Sequence, residues 1–211
     1  CLPFSFKTFK QSFMRYFIHL AYNGTSFHGW QIQPNAPTVQ EALENALSLL
    51  LKESIHIIGC GRTDTGVHAS DFYAHFDSSS SLTAEECNQL THKLNSFLDE
   101  NIIIFRIFLV NNEANARFDA IYRTYQYHIS SQKLPFKKEF VHRINFPIDR
   151  EAMNRACDIL LQYEDFTSFS KSHTQTKTNL CHIMYAGWQN TEDEMIFTIK
   201  ANRFLRNMVR A

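Results

Sequence analysis

Apolar positions alternate, then space out at three and four residues, then alternate again, and this rhythm predicts the elements. Met14–Tyr22 (MRYFIHLAY) is dense in aromatic and branched residues and predicts a strand. Asn23-Gly24 signals a turn, and the connection runs on through Pro34 and Pro37. Thr38-Val39-Gln40-Glu41 reads as a capping box, and Val39, Leu43, Ala46, Leu47 and Leu50 follow at helical spacing. Ile55–Cys60 predicts a short strand and Asp71–Asp77 another. Thr83-Ala84-Glu85-Glu86 opens a second helix, with Cys87, Leu90, Leu94 and Phe97 turned inward. Asn101–Val110 predicts a fourth strand.

The order β-α-β-β-α-β is that of an α+β, ferredoxin-like (RRM-like) domain: antiparallel strands, with both helices on one face. The polar stretch 111–120 reads as a boundary. Beyond it, Ile121–Ser130 predicts a strand bearing Tyr122, Tyr125 and Tyr127. Asp149 can cap a helix with Met153, Ala156, Cys157, Leu160 and Leu161 inward. Phe169–Asn179 (FSKSHTQTKTN) reads as a mobile surface loop, and Leu180–Gln189 with Glu194–Ala201 as a hairpin. The second half therefore repeats the architecture of the first. Two ferredoxin-like domains are expected, 14–110 and 115–211, preceded by an extension at 1–13 (CLPFSFKTFKQSF). FLRNMVRA at the other end reads as a helix that stops short, so the second domain is expected to be incomplete.

The 211 residues are 44% apolar with nineteen phenylalanines, which excludes a disordered chain. No apolar run approaches the ~20 residues of a membrane helix. The five cysteines are scattered and form no C-x-x-C pair, which reads as a reduced, cytoplasmic protein without a disulfide framework. Cys181, His182 and His173 could be grouped as metal ligands, but adjacent strand residues point to opposite faces and chelate poorly. Net charge is zero, yet residues 1–114 carry 7 Lys and Arg against 11 Asp and Glu, while residues 115–211 carry 14 against 10. A polyanion is expected on the second half first.

Candidate chemistry concentrates in residues 61–69, GRTDTGVHA, where Arg62 and Asp64 share a glycine-bounded loop. An ordinary turn is one reading. Asp64-Thr65-Gly66 also has the look of half an aspartic-protease dyad, but such a dyad shares one proton between two carboxylates. A nearby guanidinium favours the ionised carboxylate and argues against that scheme. A single ionised aspartate suits a nucleophile, or a base acting on a sugar. A basic, tyrosine-bearing surface suits a nucleotide in RNA, either as substrate or as the ligand of a non-catalytic RNA-binding protein.

YNGTSFHGWQIQPNAPTVQEAL, GRTDTGVHA, RFDAIYRTYQY, EDFTSF and ANRFLRNMVRA, in that order, resemble the bacterial TruA-type tRNA pseudouridine synthases. The resemblance spans nearly the whole chain from Met14. It implies an isomerase that converts uridines 38, 39 and 40 of the tRNA anticodon stem-loop to pseudouridine. It implies a homodimer, no cofactor and no metal, and a basic cleft between two ferredoxin-like halves. Carried over, it makes Asp64 the essential aspartate, attacking C1′ or taking a proton from C2′. It implies that Arg62 contacts the flipped nucleotide, that the Tyr125 ring stacks on uracil, and that Arg210 pairs with the aspartate from the other half. Tyr127 lies on the same strand face as Tyr125 by period two, and only the resemblance favours Tyr125. Arg117, Arg123, Lys171, Lys177, Arg203 and Arg206 are candidate phosphate contacts. His68 reads as a residue that orients the loop rather than as a base, and His28 and Trp30 receive no chemical role.

Overall fold

A computed structural model describes residues 13–170 and 178–211. All but the last residue of the expected N-terminal extension lies outside the described residues, as do Lys171, Lys177 and most of the expected loop at 169–179. The chain divides into two compact units, one ending at Asp119 and the next beginning at Ala120.

The first unit contains β1 (Met14–Tyr22), α1 (Val39–Leu51), β2 (Ile57–Gly59), β3 (Ala69–Ser78), α2 (Ala84–Phe97) and β4 (Ile102–Val110). Its strands lie in the order β2-β3-β1-β4, and every neighbouring pair is antiparallel. This is the split βαβ arrangement expected. Period-two alternation buries Tyr16, Ile18 and Leu20 of β1 beside Phe72, Ala74 and Phe76 of β3. Leu43, Ala46 and Leu47 of α1 and Leu90 and Leu94 of α2 close the same core. Burying each such leucine contributes about 1.5–3 kcal/mol. Phe97, expected inward, is exposed, because it is the last residue of α2, beyond the turn that packs on the sheet.

The caps are as local as the helices need. The Thr38 hydroxyl accepts from Glu41 N (3.3 Å), and Lys52 ends α1 at φ 56°. In α2 the box is reciprocal: Thr83 Oγ1 accepts from Glu86 N and Glu86 Oε2 accepts from Thr83 N. On the sheet face opposite the helices, Arg15 grips Asp77 with two bonds (2.7 and 2.8 Å) and donates to Ala114 O (2.9 Å). Ala116 N donates to Nδ1 of buried His75 (3.1 Å). Burial, then the Arg15 charge, lowers the His75 pKa, which favours the neutral acceptor that this bond requires.

The second unit contains β5 (Arg123–Ser130), β6 (Val141–Arg143), α3 (Arg150–Leu160), β7 (Ile183–Asn190) and β8 (Met195–Ala201). The sheet order is β6-β5-β8-β7. One expectation is corrected here: the sheet is mixed, because β6 pairs parallel to β5. Three residues, VHR, are too few to show a period in the sequence. Asp149 Oδ1 caps α3 by accepting from Ala152 N (2.9 Å). Cys157 of α3 is buried with Ile183, Ala186, Ile199, Ala201, Leu205 and Met208, whereas Ala156 and Leu161, both expected inward, are exposed. Residues 206–210 form hydrogen-bonded turns rather than the expected helix, because Asn207 sits at φ 68° and interrupts a right-handed helix.

Buried Glu194 ties this unit together. His128 Nδ1 (2.7 Å) and Lys137 Nζ (2.6 Å) both donate to its carboxylate, joining β5, the β5–β6 connection and the start of β8. The Lys137 bond, then the His128 bond, hold the Glu194 carboxyl below its ordinary pKa. A depressed carboxyl stabilises the fold above its unfolded pKa of about 4.3, and that contribution is lost as pH falls through the folded value. Glu194→Gln is therefore expected to lower the melting temperature at pH 7 by roughly 5 °C. The difference from the parent should shrink below about pH 4. Thermal melts from pH 3 to 7 check both.

Candidate active site

The loop bearing Arg62 and Asp64 joins β2 to β3, at the edge of the first sheet. Cys60 N donates to Tyr73 O (2.8 Å) and starts the loop in register. Val67 N closes a turn on Asp64 O (3.1 Å), with Gly66 at φ 76°, a conformation that side chains rarely adopt. Arg62, Asp64 and Thr65 are exposed.

The sheet does not hold this loop; a segment 40 residues upstream does. Trp30 N donates to Thr63 O (3.2 Å) and Gly66 N donates to Phe27 O (3.2 Å). Gly24 N donates to His68 Nδ1 (3.1 Å). The Tyr22 and Thr63 hydroxyls are 2.9 Å apart. The backbones approach so closely that side chains are excluded. A Cβ on Gly24 would lie 2.1 Å from Val67 O, and one on Gly29 would lie 2.3 Å from Thr63 O. The loop is therefore an arch, fixed at Thr63 on one side and at Gly66–His68 on the other, with Asp64 and Thr65 at its crest.

The upstream segment is anchored in turn. Val39 N and Gln40 N, at the start of α1, donate to Gly29 O (3.3 Å) and Trp30 O (3.0 Å). These bonds occupy two of the N–H groups that a helix start leaves without partners. Trp30 is buried, its ring 4.4 Å from that of Phe72, and it fills the space that a side chain at Gly59 would occupy. A register shift in the β1–β3 pairing between Leu20 and Tyr22 marks the end of β1, where Tyr22 reaches Thr63.

What stands against a shared-proton dyad is the exposure of Asp64, since such dyads lie in apolar surroundings. The positions of the other expected residues are plain. Arg117 lies in the segment after β4, its guanidinium 5.5 Å from the Phe118 ring. Tyr125 lies on β5, half-buried, edge-on to Phe204 at 5.2 Å, while Tyr127 is exposed beside His142. Arg123 donates to Ala120 O (3.0 Å) and Asn202 O (2.8 Å). Arg203, Arg206 and Arg210 lie in the segment after β8, with Arg206 and Arg210 exposed. Gly29 and Tyr22, and Gly24 beyond its place in a turn, are residues to which the sequence pattern assigned no part in the site. The glycines of YNGTSFHGW were the available signal.

A family model described as tRNA pseudouridine synthase matches residues 156–211. The chain is 52% identical to tRNA pseudouridine synthase A of Parabacteroides distasonis, over 93% of this chain and 77% of that protein. It is 50% identical to tRNA pseudouridine synthase A of Bacteroides thetaiotaomicron, over 93% and 73%. It is 39% identical to tRNA pseudouridine synthase A of Limosilactobacillus reuteri, over 93% and 78%.

The clamp makes a prediction of its own. Gly24→Ala and Gly29→Ala should each force the two segments apart and speed amide exchange at Trp30 and Gly66 by about tenfold or more. Gly61→Ala, whose methyl would meet nothing within 4 Å, should leave that exchange unchanged. Hydrogen-exchange mass spectrometry resolves the three variants.

Proposed function

The chain belongs to the tRNA pseudouridine synthase A family, and from that premise we propose that Asp64 is the group that acts on the ribose of the target uridine. The protein is an isomerase that converts uridine in tRNA to pseudouridine. The observation that carries the assignment of Asp64 is its place: an exposed carboxylate at the crest of an arch fixed on both sides. A nucleophile held in this way spends little of its reaction barrier on orientation.

The chemistry needs one such group. The C1′–N1 bond breaks and uracil departs with the electron pair. The base turns, C5 bonds to C1′, the C5 proton is lost and N1 takes up a proton. A carboxylate can assist by bonding to C1′ as uracil leaves and departing when C5 returns. It can instead take the C2′ proton, give a glycal-like intermediate and hand the proton back.

We assign Arg62, Tyr125 and Arg210 to binding this uridine. Arg62 has an exposed guanidinium suited to a phosphate or a flipped base. The Tyr125 ring is held edge-on by Phe204, and base–aromatic stacking is worth ~1–3 kcal/mol. The proposed substrate is the anticodon stem-loop at uridines 38, 39 and 40, with Arg117, Arg123, Lys171, Lys177, Arg203 and Arg206 as phosphate contacts. A cytoplasmic homodimer completes the proposal. Exposed Phe136, Phe140 and Phe146 give the second unit apolar surface for association.

Asp64→Ala is expected to abolish release of the C5 hydrogen from labelled uridine in tRNA while leaving tRNA binding within a few-fold of the parent. Turnover in that variant would remove Asp64 from the chemistry. Binding without isomerisation by the parent would mark the chain as a binding protein instead. If six phosphates are contacted, tRNA affinity should fall by roughly 10³ between 50 and 200 mM salt. Titration at several salt concentrations measures this slope.

A further inference from the structure

We infer that His68 is a positioning residue for Asp64, acting through its Nδ1 as a hydrogen-bond acceptor and not through proton transfer at that atom. The inference rests on the assignment of Asp64. A backbone N–H can only donate, so the bond from Gly24 N (3.1 Å) requires Nδ1 to carry a lone pair, which puts the ring proton of the neutral imidazole on Nε2. This bond spans 44 residues and closes the C-terminal side of the arch, as Trp30 N and the Tyr22 hydroxyl close the other at Thr63. Gly24 is pressed against Val67 O, and its N–H has the His68 ring as its acceptor. Without an acceptor at residue 68, that donor loses its bond. The Gly66–His68 side of the arch would then keep the bond from Gly66 N to Phe27 O but lose its tie to Gly24. Asp64 lies four residues before His68, so loosening this foot displaces the carboxylate without touching the substrate.

The test uses the geometry of two amides. An asparagine at 68 can place Oδ1 where Nδ1 now stands, whereas a glutamine places its oxygen one bond further out, near the position of Nε2. His68→Asn is expected to keep single-turnover pseudouridine formation on tRNA within about threefold of the parent. His68→Gln and His68→Phe are expected to lose ten- to hundredfold in rate. KM for tRNA should stay within about twofold in all three. If His68→Phe fails to fold, as a thermal melt would reveal, the Asn–Gln pair still decides. A glutamine variant as active as the asparagine variant, or more so, overturns the inference, and so does an asparagine variant as slow as the phenylalanine one. Asp64→Ala run in parallel separates the two claims: if it retains turnover, the assignment of Asp64 fails. If it is inactive while Asn offers no rescue over Gln, only the role of His68 fails.

Discussion

The structure around Asp64 depends on one close contact between backbones. Segment 24–30 lies against segment 63–68 so tightly that glycine is required at Gly24 and Gly29. The support runs in a chain. The core holds α1 through Val39, Leu43, Ala46 and Leu47. The first N–H groups of α1 hold the carbonyls of Gly29 and Trp30. Trp30 then holds Thr63, one residue before the aspartate. A short edge strand such as β2, with three residues, could not fix a nine-residue connection by its own ladder. The site thus borrows the rigidity of a helix that carries no catalytic group. Catalytic groups must be held close to productive geometry by partners that are themselves locked, and this arrangement supplies two such layers.

Much of the fold was legible because it rests on period and caps. The bounds of β1 coincide with the apolar run MRYFIHLAY, and Thr38, Thr83 and Asp149 cap the three helices in the places their chemistry suggests. What escaped was set by tertiary contacts or by too few residues. β6 has three residues and gains its identity only from lying beside β5. The helix expected at FLRNMVRA is broken at Asn207 by a backbone angle that composition does not encode. Phe97 and Leu161 continue a helical period past the point where there is core to bury them. For the site, GRTDTGVHA and YNGTSFHGW could each be read as a loop with glycines. Nothing in one dimension says that the glycines of the second exist to admit the carbonyls of the first.

Burial divides the charged residues by task. Arg15, Glu194 and Arg123 are engaged with carboxylate, cations or carbonyls, and each fastens one piece of backbone to another. Arg62, Arg206 and Arg210 are exposed. The basic excess of residues 115–211 is therefore not all available to a polyanion, since part of it is spent on the fold. Counting charges in the sequence overstates the binding surface, and the bond of Lys137 to Glu194 shows where the overcount arises.

The bonds that fix the arch fall on the neighbours of Asp64 in the chain. Asp64 owes its position to hydrogen bonds made by its neighbours in the backbone, at Thr63, Gly66 and His68. Arg62 makes none of those bonds. The course of the loop is thus set largely by its bonds to segment 22–30.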